Sequence, residues 1–434
     1  MKKNLNDLKV GIVGLGYVGL PLAVEFGKVR PVIGFDLNKE RVDQINADFD
    51  VTSEVPEESL KEAKFLEVTS SIDNLAGCNF FIVAVPTPVD DANIPDLSNL
   101  VSATQSVACV LKAGDVVVFE STVFPGVTEE VCAPILEEIS GLKFCNNDDD
   151  AQANVFYLGY SPERINPGDK LKGLRDIVKI TSGSNKRAAE LIDNIYASII
   201  TAGTYRAETI KVAEAAKVIE NIQRDVNIAL VNELAIIFER LDIDTKSVLL
   251  AAETKWNFAK FSPGLVGGHC IGIDPYYLAY KAQKVGYTPN LILAGRKMNN
   301  EMSGFVANQL IKIMLKKSIE VSSSKVLILG LAFKENCSDI RNSKIFDLSK
   351  ELRDYLCEVD VFDPLVDANV TGSKDFLKII KKPEAAVYDA IVLAVPHDCF
   401  VKLGASGIRQ WGKINHVFFD LKSVFNQSES DGRV

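Results

Sequence analysis

Short apolar runs recur along the first part of the chain, and each of them ends in glycine, proline or polar residues. The first run, Lys9–Val13, is followed by a turn with three glycines and then by the apolar segment Leu20–Phe26. Further runs of this type are Pro31–Asp36, Asn79–Val85, Asp115–Glu120 and Val155–Tyr160. Continuous apolar runs of this length are typical of parallel strands buried on both faces. The pattern therefore predicts an α/β fold with a parallel sheet.

The last third of the chain repeats this design. The run Lys325–Lys334 resembles the stretch that begins at Lys9, and Val359–Asp363 and Ala390–Pro396 resemble the second and third runs. We therefore expect two Rossmann-like doubly wound domains. Between them, residues 204–262 contain neither glycine nor proline and are rich in helix formers, which predicts one long central helix from about Ala207 to Leu241.

The first glycine turn has the spacing of a dinucleotide-binding turn. Gly14, Gly16 and Gly19 enclose Tyr17 and Val18 and stand between a predicted strand and a predicted helix. In that context the glycines allow a tight turn, close approach of a pyrophosphate and close packing of helix on strand. A bare glycine turn is the alternative, but the second strand ends in Asp36, where a carboxylate binds ribose hydroxyls and repels a 2′-phosphate. The sequence predicts NAD as the cofactor.

Polar residues follow three of the predicted strands. Pro86 and Thr87 follow one, Thr122 follows the next, and residues 161–168, with Glu163, Arg164 and Asn166, follow the third. Because ligands of open α/β sheets bind at the carboxyl ends of the strands, we expect these loops to line one cleft. For a single residue such as Thr122, a loop cap is the equally simple alternative.

A glycine-rich loop, Phe261–Tyr277, contains Cys270, with Asp274 four residues later. A cysteine in such a loop has little local packing, so a role as a buried small hydrophobe is less expected here than elsewhere. His269 is interpreted as loop scaffold, because adjacent side chains point in different directions. On the long helix, Lys217 and Asn221 are four residues apart and share a face, for which a solvated surface is the alternative.

The second Rossmann-like unit lacks the second and third glycines of the turn, so it cannot hold another dinucleotide in the usual way. Its turn carries Lys334, Arg341, Asn342, Ser343 and Lys344 instead. This cationic turn suits the phosphates of another nucleotide, and a solvated basic turn is the alternative.

Composition narrows the functional class. The net charge of −10 argues against a basic nucleic-acid surface, and no apolar run reaches the roughly 18 residues of a membrane span. The N-terminal residues do not resemble a signal peptide. Eight cysteines without a C-x-x-C pair indicate reduced thiols in a cytoplasmic protein. With three histidines and no metal-ligand spacing, no metal site is predicted.

In this order, the motifs resemble the UDP-glucose/GDP-mannose 6-dehydrogenase family over essentially the whole chain. The matching segments are Gly14–Gly19, Val85–Pro88, Ser121–Val123, Ser161–Glu163, Lys217 with Asn221, Asn232 with Glu233, Gly267–Cys270 with Asp274, and Gly330–Lys334 with Arg341–Ser343. The resemblance implies an NAD-binding Rossmann domain (1–205), a central helical domain with the catalytic cysteine loop (206–305) and a UDP-binding Rossmann-like domain (306–434). A long, largely apolar helix between two domains also commonly supplies a dimer interface, so we expect a homodimer formed through the central helix.

The resemblance further implies a four-electron oxidation at C6 of a UDP-sugar. Cys270 would be the nucleophile that forms a thiohemiacetal and then a thioester. Lys217 and Asn221 would stabilise the oxyanion, Thr122 and Asp274 would order the water that acts as base, and Glu163 would position the hydrolytic water. The implied cofactor contacts are Gly14, Gly16, Tyr17, Val18, Gly19, Asp36, Pro86, Thr87 and Thr122. The implied substrate contacts are Glu163, Arg164, Asn166, Lys217, Asn221, Gly267, Gly268, Lys334 and Arg341.

Two loops depart from the UDP-glucose pattern. Gly272 and Ile273 stand where those enzymes carry proline and lysine, and Pro167 replaces a second glutamate. Both loops resemble the branch that acts on UDP-N-acetylhexosamines in bacterial capsule and O-antigen synthesis, which favours UDP-N-acetylglucosamine first and UDP-N-acetylgalactosamine next. The alternatives are a UDP-glucose 6-dehydrogenase, a two-electron alcohol dehydrogenase, and a non-catalytic nucleotide-sugar binding protein on the same fold.

Overall fold

The computed structural model describes residues 5–52, 54–90, 92–147, 154–165, 173–367 and 377–434. Asn166 and Pro167, named above, lie outside these ranges. The chain divides into two compact units. The first unit comprises Met1–Glu220 and Tyr276–Tyr287, and the second comprises Asn221–Pro275 and Thr288–Val434.

The first unit alternates strands and helices, as the apolar runs predict. Its strands are β1 (Val10–Val13), β2 (Val32–Phe35), β3 (Leu66–Thr69), β4 (Phe80–Val83), β5 (Val116–Phe119), β6 (Lys143–Phe144), β7 (Val155–Tyr160), β8 (Lys179–Thr181) and β9 (Thr204–Arg206). Its helices before residue 210 are α1 (Gly19–Gly27), α2 (Lys39–Asn46), α3 (Glu57–Glu62), α4 (Ser98–Val110), α5 (Ala133–Ser140) and α6 (Lys186–Ala197).

The first seven strands form one sheet in the order β3-β2-β1-β4-β5-β7-β6, and β8 pairs with β9 separately. Every pairing in this sheet is parallel. The order reverses direction between β1 and β4, which is where open sheets of this kind bind ligands. All residues of β1, β4, β5 and β7 are buried. This burial explains why their sequences are continuously apolar rather than alternating.

A 31-residue helix, α7 (Ile210–Arg240), runs from the first unit into the second. The prediction placed its start three residues earlier, at Ala207. The backbone N–H of Ala207 instead donates to the carbonyl of Thr181, which extends the pairing of β8 and β9. The helix ends without glycine or proline, because Asp242 adopts a φ of +55°. Asp244 then caps α8 by accepting from the N–H of Ser247.

The second unit contains a second parallel sheet. The remaining elements in chain order are α8 (Thr245–Ala252), α9 (Asp274–Lys284), α10 (Asn290–Lys316), β10 (Lys325–Leu329), α11 (Ile345–Asp354), β11 (Glu358–Phe362), β12 (Lys378–Ile379), β13 (Tyr388–Leu393), α12 (Asp398–Arg409), β14 (Gly412–Asp420) and β15 (Gly432–Arg433). The strand order is β12-β11-β10-β13-β14-β15. The predicted class, two Rossmann-like doubly wound domains joined by a long central helix, is confirmed.

Within the described ranges, no helix is long and apolar enough to cross a membrane.

Candidate active site

The glycine turn after β1 has the shape that a dinucleotide requires. Gly14 adopts a φ of +91°, and its N–H donates to the carbonyl of Phe35 at 2.8 Å. A Cβ on Gly16 would meet no atom within 4 Å, so the backbone there faces open space. A Cβ on Gly19 would overlap the carbonyl of Gly14, so only glycine permits this packing of α1 on β1. Val18 occupies the position before the first residue of α1. A pyrophosphate fits this turn.

Asp36 follows β2 directly, and the backbone holds both of its carboxylate oxygens. One accepts from the N–H of Leu15 and the other from the N–H of Asn38, each at 2.8 Å. The side chain is only partly buried. Because a carboxylate can accept about four hydrogen bonds, these two leave acceptor sites for ribose hydroxyls. The residues of the turn and Asp36 therefore fit NAD.

The loops after β4 and β5 are joined to each other, as the predicted cleft requires. The hydroxyl of Thr87 donates to the carbonyl of Thr122 at 2.6 Å, and the hydroxyl of Ser121 donates to the carbonyl of Val85 at 2.7 Å. The Tyr277 hydroxyl donates to the carbonyl of Thr87. Thr87 and Thr122 are thus fixed beside one another.

The loop carrying Thr122 is also tied to α7. Buried Glu214 accepts from the N–H groups of Gly126 and Thr128 at 2.5 and 2.9 Å. Burial raises the pKa of Glu214 to about 7, although both backbone bonds act to lower it. Lys217, which is also buried, lies three residues further along the same helix.

Glu163 and Arg164 follow β7. One carboxylate oxygen of Glu163 accepts from the N–H groups of Arg164 and Ile165, and the other lies 3.2 Å from the ammonium of Lys179. Arg164 forms an ion pair with Glu220 at 2.8 Å. Its predicted role as a substrate contact stays a prediction, and Glu220 offsets part of its charge. The predicted contact Asn166 lies outside the described residues.

Sequence reasoning missed three residues of the buried cluster to which Glu163 belongs. Lys179, Glu120 and Tyr196 are buried and lie in β8, directly after β5 and in α6. Two signals were present in the sequence. Glu120 follows a buried strand, and Lys179 stands in the short apolar run 177–180.

In the second unit, Cys270 lies in the turn that leads into α9. Its carbonyl accepts from the N–H groups of Ile273 and Asp274, and Asp274 is the first residue of the helix. The side-chain amide of Asn221 donates to the carboxylate of buried Asp274 at 2.5 Å. Arg224 donates to the amide oxygen of Asn221 at 3.2 Å. The structure thus brings Asn221 together with Asp274, one turn after Cys270.

The start of the cysteine loop is fixed by a buried amide. Asn232 donates to the carbonyl of Gly264 at 3.1 Å and accepts from its N–H at 2.8 Å. Asn232 also donates to Asn299, which in turn donates to Asp225. Arg296 pairs with the same carboxylate at 2.6 Å. The loop is therefore anchored by a buried polar network between α7 and α10.

Gly267 and Gly268 pack against the turn after β10. A Cβ on Gly267 would lie 2.7 Å from the carbonyl oxygen of Asn342, and one on Gly268 would lie 2.9 Å from the ring of Phe333. Gly268 also has a φ of +84°. Close backbone packing thus explains both glycines, and their predicted substrate contacts stay predictions.

The turn after β10 is less cationic than the sequence indicates. Arg341 makes a two-pronged ion pair with Asp339, and Lys344 pairs with Asp347 at 2.8 Å. His269 lies 3.7 Å from Asp339, and burial lowers the pKa of this histidine to about 4, so that it is neutral near pH 7. The ammonium of Lys334 lies 5.7 Å from the centre of the Phe333 ring.

In the second sheet, the acidic residue that follows the second strand of the Rossmann-like unit is bound by the protein itself. Asp363 corresponds to Asp36, but it is buried and accepts from the N–H groups of Leu331 and Ala332. His397 lies 3.0 Å from the same oxygen. This carboxylate is not available to a ribose, which agrees with the loss of the second and third glycines.

The cysteines separate into distinct environments. All eight lie in the described ranges, and none forms a disulfide. Burial raises the pKa of Cys78 to about 11 and that of Cys132 to about 12, which keeps both as inert thiols. Cys270 is partly exposed, like Cys337, and Cys109 and Cys399 are exposed.

Comparison with known families matches three consecutive parts of the chain. They are described as the NAD binding, central and UDP binding domains of the UDP-glucose/GDP-mannose dehydrogenase family, and they match residues 8–200, 211–301 and 327–427.

Similar proteins match over nearly the full length. The chain is 56% identical over 430 residues to UDP-N-acetyl-D-glucosamine 6-dehydrogenase of Salmonella typhi, covering 99% of each chain. It is 55% identical to the protein of the same name from Pseudomonas aeruginosa, covering 99% of this chain and 100% of that one. Among solved structures, UDP-D-ManNAc dehydrogenase from Pyrococcus horikoshii superposes with a TM-score of 0.85 at 31% identity, covering 97% of this chain and 96% of that one.

Proposed function

Because the chain belongs to the UDP-glucose/GDP-mannose dehydrogenase family and is thus an NAD-dependent nucleotide-sugar dehydrogenase, we propose that it oxidises UDP-N-acetylglucosamine at C6 to the uronic acid. The observation that carries this substrate is the identity above 50%, over essentially complete chains, to proteins named for it. UDP-N-acetylgalactosamine is the next candidate, because it differs only in the orientation of the C4 hydroxyl. We further propose that the product supplies the synthesis of a surface polysaccharide, capsule or O-antigen.

The three matched segments support the domain roles expected from the sequence. We propose that 1–205 binds NAD, that 206–305 carries the cysteine loop and that 306–434 binds the UDP moiety. The turn after β1 and Asp36 would hold the cofactor, with Thr87 and Thr122 beside it. NAD, when bound, accepts one hydride in each of the two oxidation steps.

The chain supplies the nucleophile and the groups that stabilise charge. The Cys270 thiolate adds to the C6 aldehyde, and the resulting thiohemiacetal is oxidised to a thioester. The Asn221 amide has two N–H bonds, of which one is directed to Asp274, so the other can donate to the oxyanion. Lys217, four residues earlier on α7, would add a positive charge. Asp274 and Thr122 would order the water that removes the alcohol proton.

Hydrolysis completes the reaction. Glu163 accepts a proton from water as the water oxygen adds to the thioester carbonyl. The C–S bond then breaks, its electron pair stays on Cys270, and the uronic acid is released. Two NADH form for each sugar.

The stoichiometry of NADH tests this proposal. With UDP-N-acetylglucosamine, UDP-N-acetylgalactosamine and UDP-glucose in parallel, we expect two NADH per sugar and the highest kcat/KM for the first. One NADH per sugar would mean a two-electron alcohol dehydrogenase, and faster turnover of UDP-glucose would refute the substrate. Cys270→Ala should abolish uronic acid formation. Cys109→Ala, at an exposed position on α4, is the matched control and should keep the wild-type rate.

We also propose a homodimer formed through α7. Four aliphatic side chains on this helix, Val212, Ile219, Leu230 and Ile237, are 43–53% exposed. Two pairs of them are seven residues apart, a spacing that repeats on one helix face. A second copy of the chain would cover such a row. Leu230→Asp should shift the sedimentation coefficient from that of a dimer to that of a monomer, whereas Gln105→Asp, at an exposed polar position on α4, should not. A monomeric wild-type protein would refute the dimer.

The location that we propose is the cytoplasm, because NAD and UDP-sugars are metabolites of that compartment. The absence of disulfides among the eight cysteines is compatible with it.

A further inference from the structure

A buried ionic cluster lies behind Glu163. The Lys179 ammonium is 2.7 Å from a carboxylate oxygen of Glu120 and 3.2 Å from one of Glu163. The Tyr196 hydroxyl donates to the other oxygen of Glu120, and the Lys179 ammonium lies 5.4 Å from the centre of the Tyr196 ring. These four residues come from the end of β5, the loop after β7, β8 and α6, so the cluster is built from four separate elements.

The two carboxylates of this cluster differ in their access to water. The side chain of Glu120 is 0% exposed and that of Lys179 is 3% exposed, whereas 10% of the Glu163 side chain remains exposed. A water molecule can therefore reach Glu163 but not Glu120. One end of the cluster faces solvent, and the rest of it lies in the interior.

The cluster holds Glu163 in one orientation. One oxygen of Glu163 accepts the N–H groups of Arg164 and Ile165 at 2.6 and 2.7 Å, and the other accepts from Lys179. Charge-assisted bonds to both oxygens restrict rotation of the carboxylate. Without Lys179, only the first oxygen would keep its partners.

The charge of the cluster changes near neutral pH. Burial, together with the nearby negative charge of Glu163, raises the pKa of Glu120 to about 7. The two carboxylates raise the pKa of Lys179, which stays protonated. The Lys179 ammonium therefore faces a charged Glu120 at pH 8 and a largely neutral Glu120 at pH 6. Because the groups interact, the transition belongs to the cluster as a whole.

We propose that Lys179 is a positioning residue for thioester hydrolysis: it holds the Glu163 carboxylate in the orientation in which that carboxylate accepts a proton from water, and Glu120, held by Tyr196, holds Lys179 in place. This inference rests on the proposed function, since it assigns Glu163 to the hydrolytic step. A buried ammonium needs only one carboxylate to balance its charge, and burying a second carboxylate costs additional free energy. The presence of both Glu120 and Glu163 therefore calls for an explanation. The role that the geometry offers for Glu120 is to hold the Lys179 ammonium beside Glu163.

The first test separates hydrolysis from oxidation. In Lys179→Met, steady-state turnover should fall roughly 10- to 100-fold, because small misplacements of a catalytic group cost rates of this order. Oxidation should continue, giving a rapid burst of about two NADH per active site. Intact-protein mass spectrometry should then show an acyl adduct on Cys270. Glu163→Gln should give the same burst and adduct, and Lys179→Arg should recover part of the turnover.

Lys143→Met is the matched control, since this lysine is 74% exposed in the same unit. It should keep wild-type turnover. If Lys179→Met keeps wild-type turnover, or loses turnover without a burst and an adduct, the inference is wrong. If the wild-type protein gives no NADH with any of the three UDP-sugars, the proposed function fails first. Two NADH per sugar from the wild type would leave only the inference under test.

A second variant covers the case in which Lys179→Met does not fold. Glu120→Gln is isosteric and keeps an acceptor for the cluster, and it should hold the cluster in the charge state that Glu120 has at low pH. The rate of thioester hydrolysis should rise in the wild type as pH increases from 6 to 8. In Glu120→Gln it should stay at the wild-type pH 6 rate throughout. A variant that keeps the wild-type pH profile would overturn the role of Glu120.

Discussion

The buried amide of Asn232 offers a sharp test of how the cysteine loop is held. It makes three hydrogen bonds, two to the backbone of Gly264 and one to Asn299, at 3.1, 2.8 and 2.8 Å. Asn232→Ala removes all three and leaves buried polar groups without these partners. At about 1 kcal/mol for each bond, the loss is about 3 kcal/mol, and more where a group stays buried without a replacement.

Local hydrogen exchange is the suitable assay, because a chain with two compact units does not give a single unfolding free energy. The N–H of Gly264 donates to Asn232, so its exchange rate reports directly on the breaking of the hydrogen bonds between Asn232 and Gly264. A loss of about 3 kcal/mol corresponds to roughly a hundredfold faster exchange. Peptides that cover residues 261–268 should show this change, and kcat should fall because Cys270 lies six residues after Gly264.

Asn227→Ala is the matched control. Asn227 lies on the same helix, and its side-chain amide donates a hydrogen bond to the carbonyl of Gln223 at an exposed position. Exchange of 261–268 should stay at the wild-type rate in this variant. If Asn232→Ala also exchanges like the wild type over this segment, the three bonds do not anchor the loop.

The remaining predictions concern the loop, the cofactor and pH. Gly268 has a φ of +84°, and its Cβ would lie 2.9 Å from a ring, so Gly268→Ala should lower kcat at least roughly tenfold. Gly272→Ala, whose Cβ would meet its nearest atom at 3.7 Å, should stay within about twofold, and equal rates in the two variants would contradict this packing. Asp36→Asn removes the charge that repels a 2′-phosphate, so the ratio of kcat/KM for NADP to that for NAD should rise roughly tenfold; an unchanged ratio would remove this role. The pKa of Glu214 is raised from 4.5 to about 7, so the stability linked to its protonation is complete below about pH 4.5 and is lost as pH rises through 7. The midpoint of thermal unfolding of the first unit, which contains Glu214, should therefore fall between pH 5 and 8, and it should fall less in Glu214→Gln; identical slopes would refute the assignment.

The fold could be predicted from sequence because its signals are local. The central strands β1, β4, β5 and β7 of the first sheet and β10 and β13 of the second are short apolar runs that end in turn residues, and the long helix lacks glycine and proline over its whole length. The edge strands β3, β6, β12 and β15 are short and partly polar, and the apolar pattern does not predict them. The start of α7 was placed too early because Ala207 is drawn into strand pairing with Thr181, a residue 26 positions away. Propensity alone does not register such a pairing.

The site was only partly predictable, since its contacts join distant residues. Lys179 contacts Glu120, 59 residues earlier, and nothing in either local sequence pairs them. The sequence predicts that Arg341 contributes positive charge to a phosphate-binding turn, although two nitrogens of its guanidinium donate to Asp339, two residues away. The pairing of Arg341 with Asp339 could have been predicted from the sequence, because Asp339 stands in the same turn.

The internal use of Asp363 limits how the second Rossmann-like unit could be re-engineered. In that unit, His397 accepts the N–H of Asn336 on one ring nitrogen, so the other nitrogen donates to Asp363. Restoring the missing glycines would not restore dinucleotide binding, because the carboxylate would still be occupied. Removing His397 alone would leave a buried charge with fewer partners, a costly intermediate. Protein engineering or natural evolution would have to change the turn and the histidine together. Dinucleotide binding by the second sheet is therefore difficult to gain one substitution at a time.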